Sequence, residues 1–190
     1  ITNNGALTVS GAETGATVEY STDNAIWASS FTPVTGSNTV YVRQTDAAGN
    51  VSDASSAYTF TFDATVPTAT ISAVATDDKI NAIEKGAGVV LSGTVESGAT
   101  VTINGQEAVV SGTTWTYELT STAIAALGEG AETLTALATD AAGNQTTMTR
   151  DITVDSVAPN VTLALTGTTL ADGYLNASDD DNAVTIAGTT

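Results

Sequence analysis

The pentapeptide Asp46-Ala47-Ala48-Gly49-Asn50 recurs as Asp140-Ala141-Ala142-Gly143-Asn144. The residues before it align without a gap, and Thr39–Asn50 against Thr133–Asn144 gives 7 identities in 12 positions. Chance would give about 1. A second landmark follows each copy: Asp63-Ala64-Thr65-Val66-Pro67 matches Asp155-Ser156-Val157-Ala158-Pro159. A third is Gly11, Gly93 and Gly188, each closing a short alternating apolar segment. A chain that repeats at one period builds one unit more than once, so the period sets the domain plan. Residues 1–66 read as a module lacking its first strand, 67–158 as a complete module, and 159–190 as the first strands of a third. With no initiating Met, Ile1 reads as a cut inside something longer.

Within each unit the apolar residues alternate, and Thr and Val abound, which argues for strands. Ala69, Ile71 and Ala73 share one face after Pro67. Val161, Leu163 and Leu165 take the same offsets after Pro159. Leu7/Val9, Val89/Leu91 and Val184/Ile186 agree before the landmark glycines. Trp27 and Phe31 fall at the positions of Trp115 and Leu119, and Val40/Val42 at those of Leu134/Ala136. A one-residue slip would turn each set outward, so the register is well specified. About seven strands in one period predict an all-β chain of tandem immunoglobulin-like β-sandwich modules in an elongated array. Only Thr122–Gly130 departs, as one helical turn. Both Trp sit at one repeat position on an apolar face, which favours core over a sugar-stacking platform.

Charge narrows the chemistry. The chain carries 21 acidic and 4 basic residues, no His and no Cys, for a net charge of −17. Ser-His-Asp and Cys-His catalysis and thiolate or imidazole metal sites are therefore excluded. Nucleic acid and anionic membranes repel such a chain, and no apolar run is long enough to insert in a bilayer. What remains is oxygen chemistry, and Ca²⁺ wants that ligand set.

Sandwich topology says where the acids meet. The loop between the first two strands lies at the pole facing the next module, and the last hairpin at the pole facing the previous one. The first loop of module two carries Asp77, Asp78, Asn81 and Glu84. Counting back from the landmark glycines, Asp172, Asn176 and Asp179 align with Asp77, Asn81 and Glu84. The linkers carry Asp63 and Asp155, and the last hairpins Asp46 and Asp140. Each junction is expected to gather a first loop, a linker Asp and the next module's hairpin around Ca²⁺. Each element also has a structural explanation: Asp before Ala-Ala-Gly-Asn shapes a hairpin by bonding turn amides, and Asp179–Asp181 is equally read as a solvated turn.

The D-A-A-G-N hairpin, the D-x-x-x-P linker, the D-D-K-I-N-A-I-E loop and the G-T-T-W strand start resemble bacterial Ig-like repeats. Such repeats build giant biofilm-associated and RTX-type surface adhesins of Gram-negative bacteria. The resemblance implies type I secretion, an extracellular stalk at the bacterial cell surface, and Ca²⁺ at module junctions. It places ligands at Asp63 and Asp155 in the linkers and at Asp46 and Asp140 in the hairpins. The expected function is a non-catalytic stalk segment stiffened by Ca²⁺, supporting adhesion and biofilm formation, with neighbouring modules of the same chain as partners. Two alternatives are a glycan- or protein-binding adhesin module, which needs exposed aromatics, and an accessory domain of a secreted hydrolase. An enzyme built on paired carboxylates is disfavoured, because a catalytic pair has no reason to recur at every pole.

Overall fold

The computed structural model describes residues 1–166 and 185–189. Strands dominate: two sets of sheets are separated at the Asp63–Pro67 linker, and a two-stranded antiparallel sheet of β12 (Thr162–Thr166) and β13 (Thr185–Thr189) follows them.

The second set forms a sandwich. One sheet has β5 (Val89–Thr94), β9 (Thr114–Leu119) and β8 (Val109–Ser111), all antiparallel. The other has β4 (Lys79–Ile80), β11 (Gln145–Val154), β10 (Gly130–Thr139), β6 (Thr100–Ile103) and β7 (Gln106–Glu107) in that order. The segment after Pro67 serves both sheets. Thr70 and Ser72 donate backbone bonds to Thr94 (2.9 Å) and Ser92 (2.8 Å) at the β5 edge. The chain then crosses over, and β4 pairs parallel with β11. Between the sheets lie Leu91, Trp115 and Leu119 from one face and Val101, Ile103, Leu134, Ala136, Ile152 and Val154 from the other. Trp115 is 1% exposed. Its indole Nε1 donates to the carbonyl of Thr70 at 3.1 Å, so the ring is packed and its one polar group is satisfied.

Two short helices interrupt the strands. Helix α2 (Ser121–Leu127) occupies the anomalous segment and buries Ile124. Helix α1 (Ala82–Ala87) lies where the sequence suggested only a loop. Its start is a capping box. Asn81 Oδ1 accepts from Ile83 N (2.9 Å) and Glu84 N (3.1 Å), and Glu84 Oε2 accepts from Asn81 N (3.0 Å).

The first set is one sheet: β1 (Thr17–Ser21), β2 (Gly36–Thr45) and β3 (Tyr58–Phe62). Thr2 bridges Phe62 in parallel, standing where β4 stands beside β11. Leu7 and Val9 are half-buried between exposed neighbours, as the alternation requires, yet they form no strand. Trp27 is only half-buried, under the Arg43 guanidinium at 4.3 Å, so it differs from its repeat partner Trp115. Val40 is the one buried hydrophobic residue, among those described, outside the core of the second set. The edge that β11 forms continuously is broken in the first set. Ser52 Oγ and Ser55 Oγ accept from Gln44 N and Val42 N, each at 3.0 Å, where carbonyls would serve in a regular ladder.

Candidate functional site

The two copies of the repeated hairpin fold alike. In each, the Asp backbone N–H donates to the Asn carbonyl at 3.0 Å, and the Gly N–H donates back to the Asp carbonyl. Asp46 Oδ1 accepts from Ala48 N (2.8 Å) and Asn50 N (2.7 Å), and its Oδ2 from Asn50 Nδ2 (2.7 Å). Asp140 takes the matching bonds from Ala142 N, Asn144 N and Asn144 Nδ2, each at 2.8 Å. Both glycines adopt φ of +94°, which admits Gly at little cost. The Asn50 amide and turn N–H groups hold the Asp46 carboxyl below its usual range. Burial pushes the Asp140 carboxyl up, but the Asn144 side chain and three turn N–H groups outweigh it, and its pKa is also lowered.

The difference between the copies is what they touch. Asn144 is 9% exposed, and its Nδ2 also donates to the carbonyl of Asp63 at 2.9 Å, across 81 residues. Beside it, Asn3 N donates to the carbonyl of Ala142 at 3.2 Å. Thr146 Oγ1 donates to the carbonyl of Pro67 at 2.6 Å. The second hairpin therefore grips both the linker and the start of the first set. The first hairpin has no such partner among the described residues.

The other candidate ligands divide. Asp63 Oδ1 accepts from Thr65 N (3.0 Å), and its backbone N–H donates to Thr2 (2.9 Å), so the linker turns away from β3 in a fixed direction. Asp155 Oδ1 meets Val157 N at 3.4 Å in the same manner. Asp77 Oδ1 accepts only the near Lys79 N–H, at 3.1 Å. Asp78 is held in an ion pair instead. Arg150 Nε lies 2.8 Å from its Oδ1, a second guanidinium nitrogen holds Oδ2, and Val74 N donates at 2.9 Å. The guanidinium holds the Asp78 carboxyl below its usual range and raises Arg150 in turn. Asn81 and Glu84 form the α1 cap. Asp172, Asn176 and Asp179 lie outside the described residues. Among the described residues, no three acidic side chains stand together as a metal cluster.

Sequence reasoning missed Glu129. Its Oε1 accepts from Lys85 Nζ (2.7 Å), its Oε2 from Ser156 N (2.8 Å), and the Ser156 hydroxyl bonds it as well. The lysine and the serine together lower its carboxyl to about 2. Glu129 thus ties the second linker to the second set. The only signal in the sequence is its place immediately before β10.

No protein-family model matches the chain, and no curated protein does. Solved structures do. The chain is 28% identical to an adhesin described as Ca²⁺-stabilized that helps an Antarctic bacterium bind ice; the match covers 92% of this chain and 48% of that one, with a TM-score of 0.44. It is 27% identical to part of a 1.5-MDa bacterial ice-binding adhesin, covering 75% of this chain and 54% of that one, at TM-score 0.35. The chain thus spans about half the length of both. A bacterial immunoglobulin-like domain from the M. primoryensis ice-binding adhesin is 32% identical, covering 48% of this chain and 99% of that domain, at TM-score 0.33. The superpositions, all below 0.5, add nothing to the sequence identity. Immunoglobulin-like domains and repeats of large bacterial adhesins are thus what this chain is similar to.

Proposed function

We propose that this chain is a non-catalytic stalk segment of a large adhesin on the bacterial cell surface, supporting adhesion and biofilm formation. Its modules are 1–66, 67–158 and 159–190, and Ca²⁺ at their junctions stiffens the array. The observation that carries this is the second hairpin seated on the first linker: Asn144 to the Asp63 carbonyl, and Asn3 to Ala142. An independent bead on a string would not order its neighbour's backbone this way.

The residues at that junction suit a hard cation. Asp63, Asp140 and the Asn3 amide offer oxygen ligands only. Asp140 Oδ2 receives one hydrogen bond, which leaves it acceptor capacity. None of the ion pairs formed among the described residues involves Asp63, Asp140, Asp77 or Asp155. Asp78 fits poorly, since Arg150 already neutralises it. Asn81 and Glu84 would have to leave the α1 cap, and Asp46 would act with a preceding module. At the second junction Asp155 and Asp77 remain, while Asp172, Asn176 and Asp179, in the first loop of the third module, would serve that module's far pole. A cation that binds only the docked arrangement stabilises it by RT ln(1 + [Ca²⁺]/Kd). With affinities of roughly 10⁻⁴–10⁻³ M, as in extracellular modules, external calcium would favour a stiff rod. Small-angle scattering in Ca²⁺ and in chelator tests this. A longer maximum dimension in Ca²⁺ is expected, and an unchanged one contradicts stiffening.

A further inference from the structure

We infer that the Asn104-Gly105 turn of the second set is a site of covalent self-modification, where the Asn104 side-chain amide is lost through a succinimide formed with the Gly105 nitrogen. The turn joins β6 to β7, with Ile103 opposite Gln106. Its two residues have φ of +49° and +79°, as a tight hairpin turn of the Asn-Gly kind requires. Both are exposed, and a Cβ built on Gly105 meets nothing within 4 Å. Neither the Asn104 side chain nor the Gly105 N–H has a hydrogen-bond partner among the described residues.

That leaves the electrophile and the nucleophile free on adjacent residues. The Gly105 nitrogen gives up its proton to base and attacks Asn104 Cγ. The bond from Cγ to the side-chain nitrogen breaks, and ammonia leaves with a proton from solvent. Water then opens the ring at either carbonyl. Opening at Cγ leaves an ordinary aspartate; opening at the main-chain carbonyl leaves isoaspartate, with the backbone running through the side chain. The net change is an amide and water converted to a carboxylate and ammonium, so no oxidant is needed. Glycine favours the attack because no Cβ crowds the nitrogen.

Two other asparagines show what the turn lacks. Asn4-Gly5 is the only other Asn-Gly pair in the chain. There Asn4 Oδ1 accepts from Ala6 N at 3.0 Å, and Asn4 N donates to Thr2 Oγ1 at 3.0 Å. A Cβ on Gly5 would lie 2.3 Å from Pro33 Cγ, so the backbone there is wedged in place. Asn24 is exposed and has φ of +58°, but the following nitrogen, Ala25 N, is engaged by Asp23 Oδ1 at 2.8 Å. In the first set Ser21-Thr22 stand where Asn104-Gly105 stand, so the chemistry is confined to the second.

Isoaspartate adds one backbone atom between Ile103 and Gln106, which breaks the register of Thr102 with Glu107. Strand β7 is two residues long and lies at the sheet edge, so it should come away. The core should not follow, because Ile103, 1% exposed, is also paired with β10 opposite Ala136. The Ala108 N–H, bonded to the Val101 carbonyl at 2.9 Å, reports the difference.

The test is to age the full chain, folded, in mildly alkaline buffer, and to follow its peptides by mass and by isoaspartyl methyl transfer. The Asn104 peptide should gain about one mass unit and divide into aspartate and isoaspartate forms. It should do so at least about fivefold faster than the Asn4 peptide, whose amide is hydrogen-bonded. In urea the two rates should converge, since both share the Asn-Gly sequence. Asn104→Gln should remain unmodified at that position. In the aged chain, hydrogen exchange should quicken at the Ala108 amide and stay unchanged at Ala136. An Asn104 that reacts in urea but stays intact in the folded chain overturns the inference, as does an Asn4 that keeps pace with it when folded. An unaltered Ala108 amide in the isoaspartate form overturns the release of β7.

Discussion

Replacing Asn144 by Ala should loosen the junction without unfolding either module. The side chain makes one bond that crosses the linker, to the Asp63 carbonyl at 2.9 Å, and one within its own hairpin, to Asp140 at 2.8 Å. A neutral amide-to-carbonyl bond contributes about 1 kcal/mol net. Asp63 sits at a half-exposed linker position, so water replaces the lost donor and adds no large orphan penalty. The docked-to-undocked ratio should therefore fall by a factor of about 5. Asn50→Ala is the built-in control: it removes the same intra-hairpin bond, at 2.7 Å, with no linker carbonyl involved. Hydrogen exchange at the Asn3 amide reads the effect directly, because that N–H crosses the junction to Ala142 at 3.2 Å. Its exchange should quicken about fivefold in Asn144→Ala and stay unchanged in Asn50→Ala, since opening populations set the rate. Equal exchange in both variants, or no change in either, would refute the claim that the second hairpin holds the first linker.

Other substitutions report on the rest of the structure. Gly93→Ala forces a methyl against the Thr70 carbonyl and within 2.8 Å of the Trp115 ring, and should cost about 1–3 kcal/mol or more in urea unfolding. Gly11→Ala meets open space but has φ of +78°, so its penalty is the backbone one, about 1–2 kcal/mol. Trp115→Ala should cost about 3–5 kcal/mol by cavity formation. Glu129 has a folded pKa of about 2, lowered from an ordinary 4.5. A lowered pKa means its contribution is complete above about 4.5 and is lost as pH falls through about 2. Unfolding midpoints followed from pH 5 to pH 2 should fall less steeply in Glu129→Gln than in the parent.

What was legible followed from repetition and alternation. Two copies of one pattern had to agree on register, and Trp115, Leu119 and Val101 are buried where the shared face put them. Asp46 and Asp140 were legible as turn formers, because Asp before Ala-Ala-Gly-Asn bonds the turn amides, and of the two hairpins the second stands at a junction among the described residues. Helix α1 was not. Asn81 and Glu84, three apart, offer oxygens at a ligand spacing, and the same spacing is that of a cap. Nor was the pairing of Asp78 with Arg150, which are 72 residues apart and meet only because β4 crosses to β11. Glu129 escaped for the same reason, since Lys85 and Ser156 reach it from two other elements. The first module departs from the second in its missing ladder at Leu7 and Val9. Alternation alone predicts a strand there, but a ladder needs a neighbour, and no described segment supplies one.

The absence of Cys makes the most direct measurement simple. Spin labels at Thr22→Cys in the first module and Thr116→Cys in the second, both exposed positions, report the distance across the first junction. Calcium at that junction predicts a narrow distribution in Ca²⁺ that broadens in chelator, and a distribution in Asp63→Asn and Asp140→Asn that no longer responds. The same width with and without Ca²⁺ in the parent chain would contradict the account.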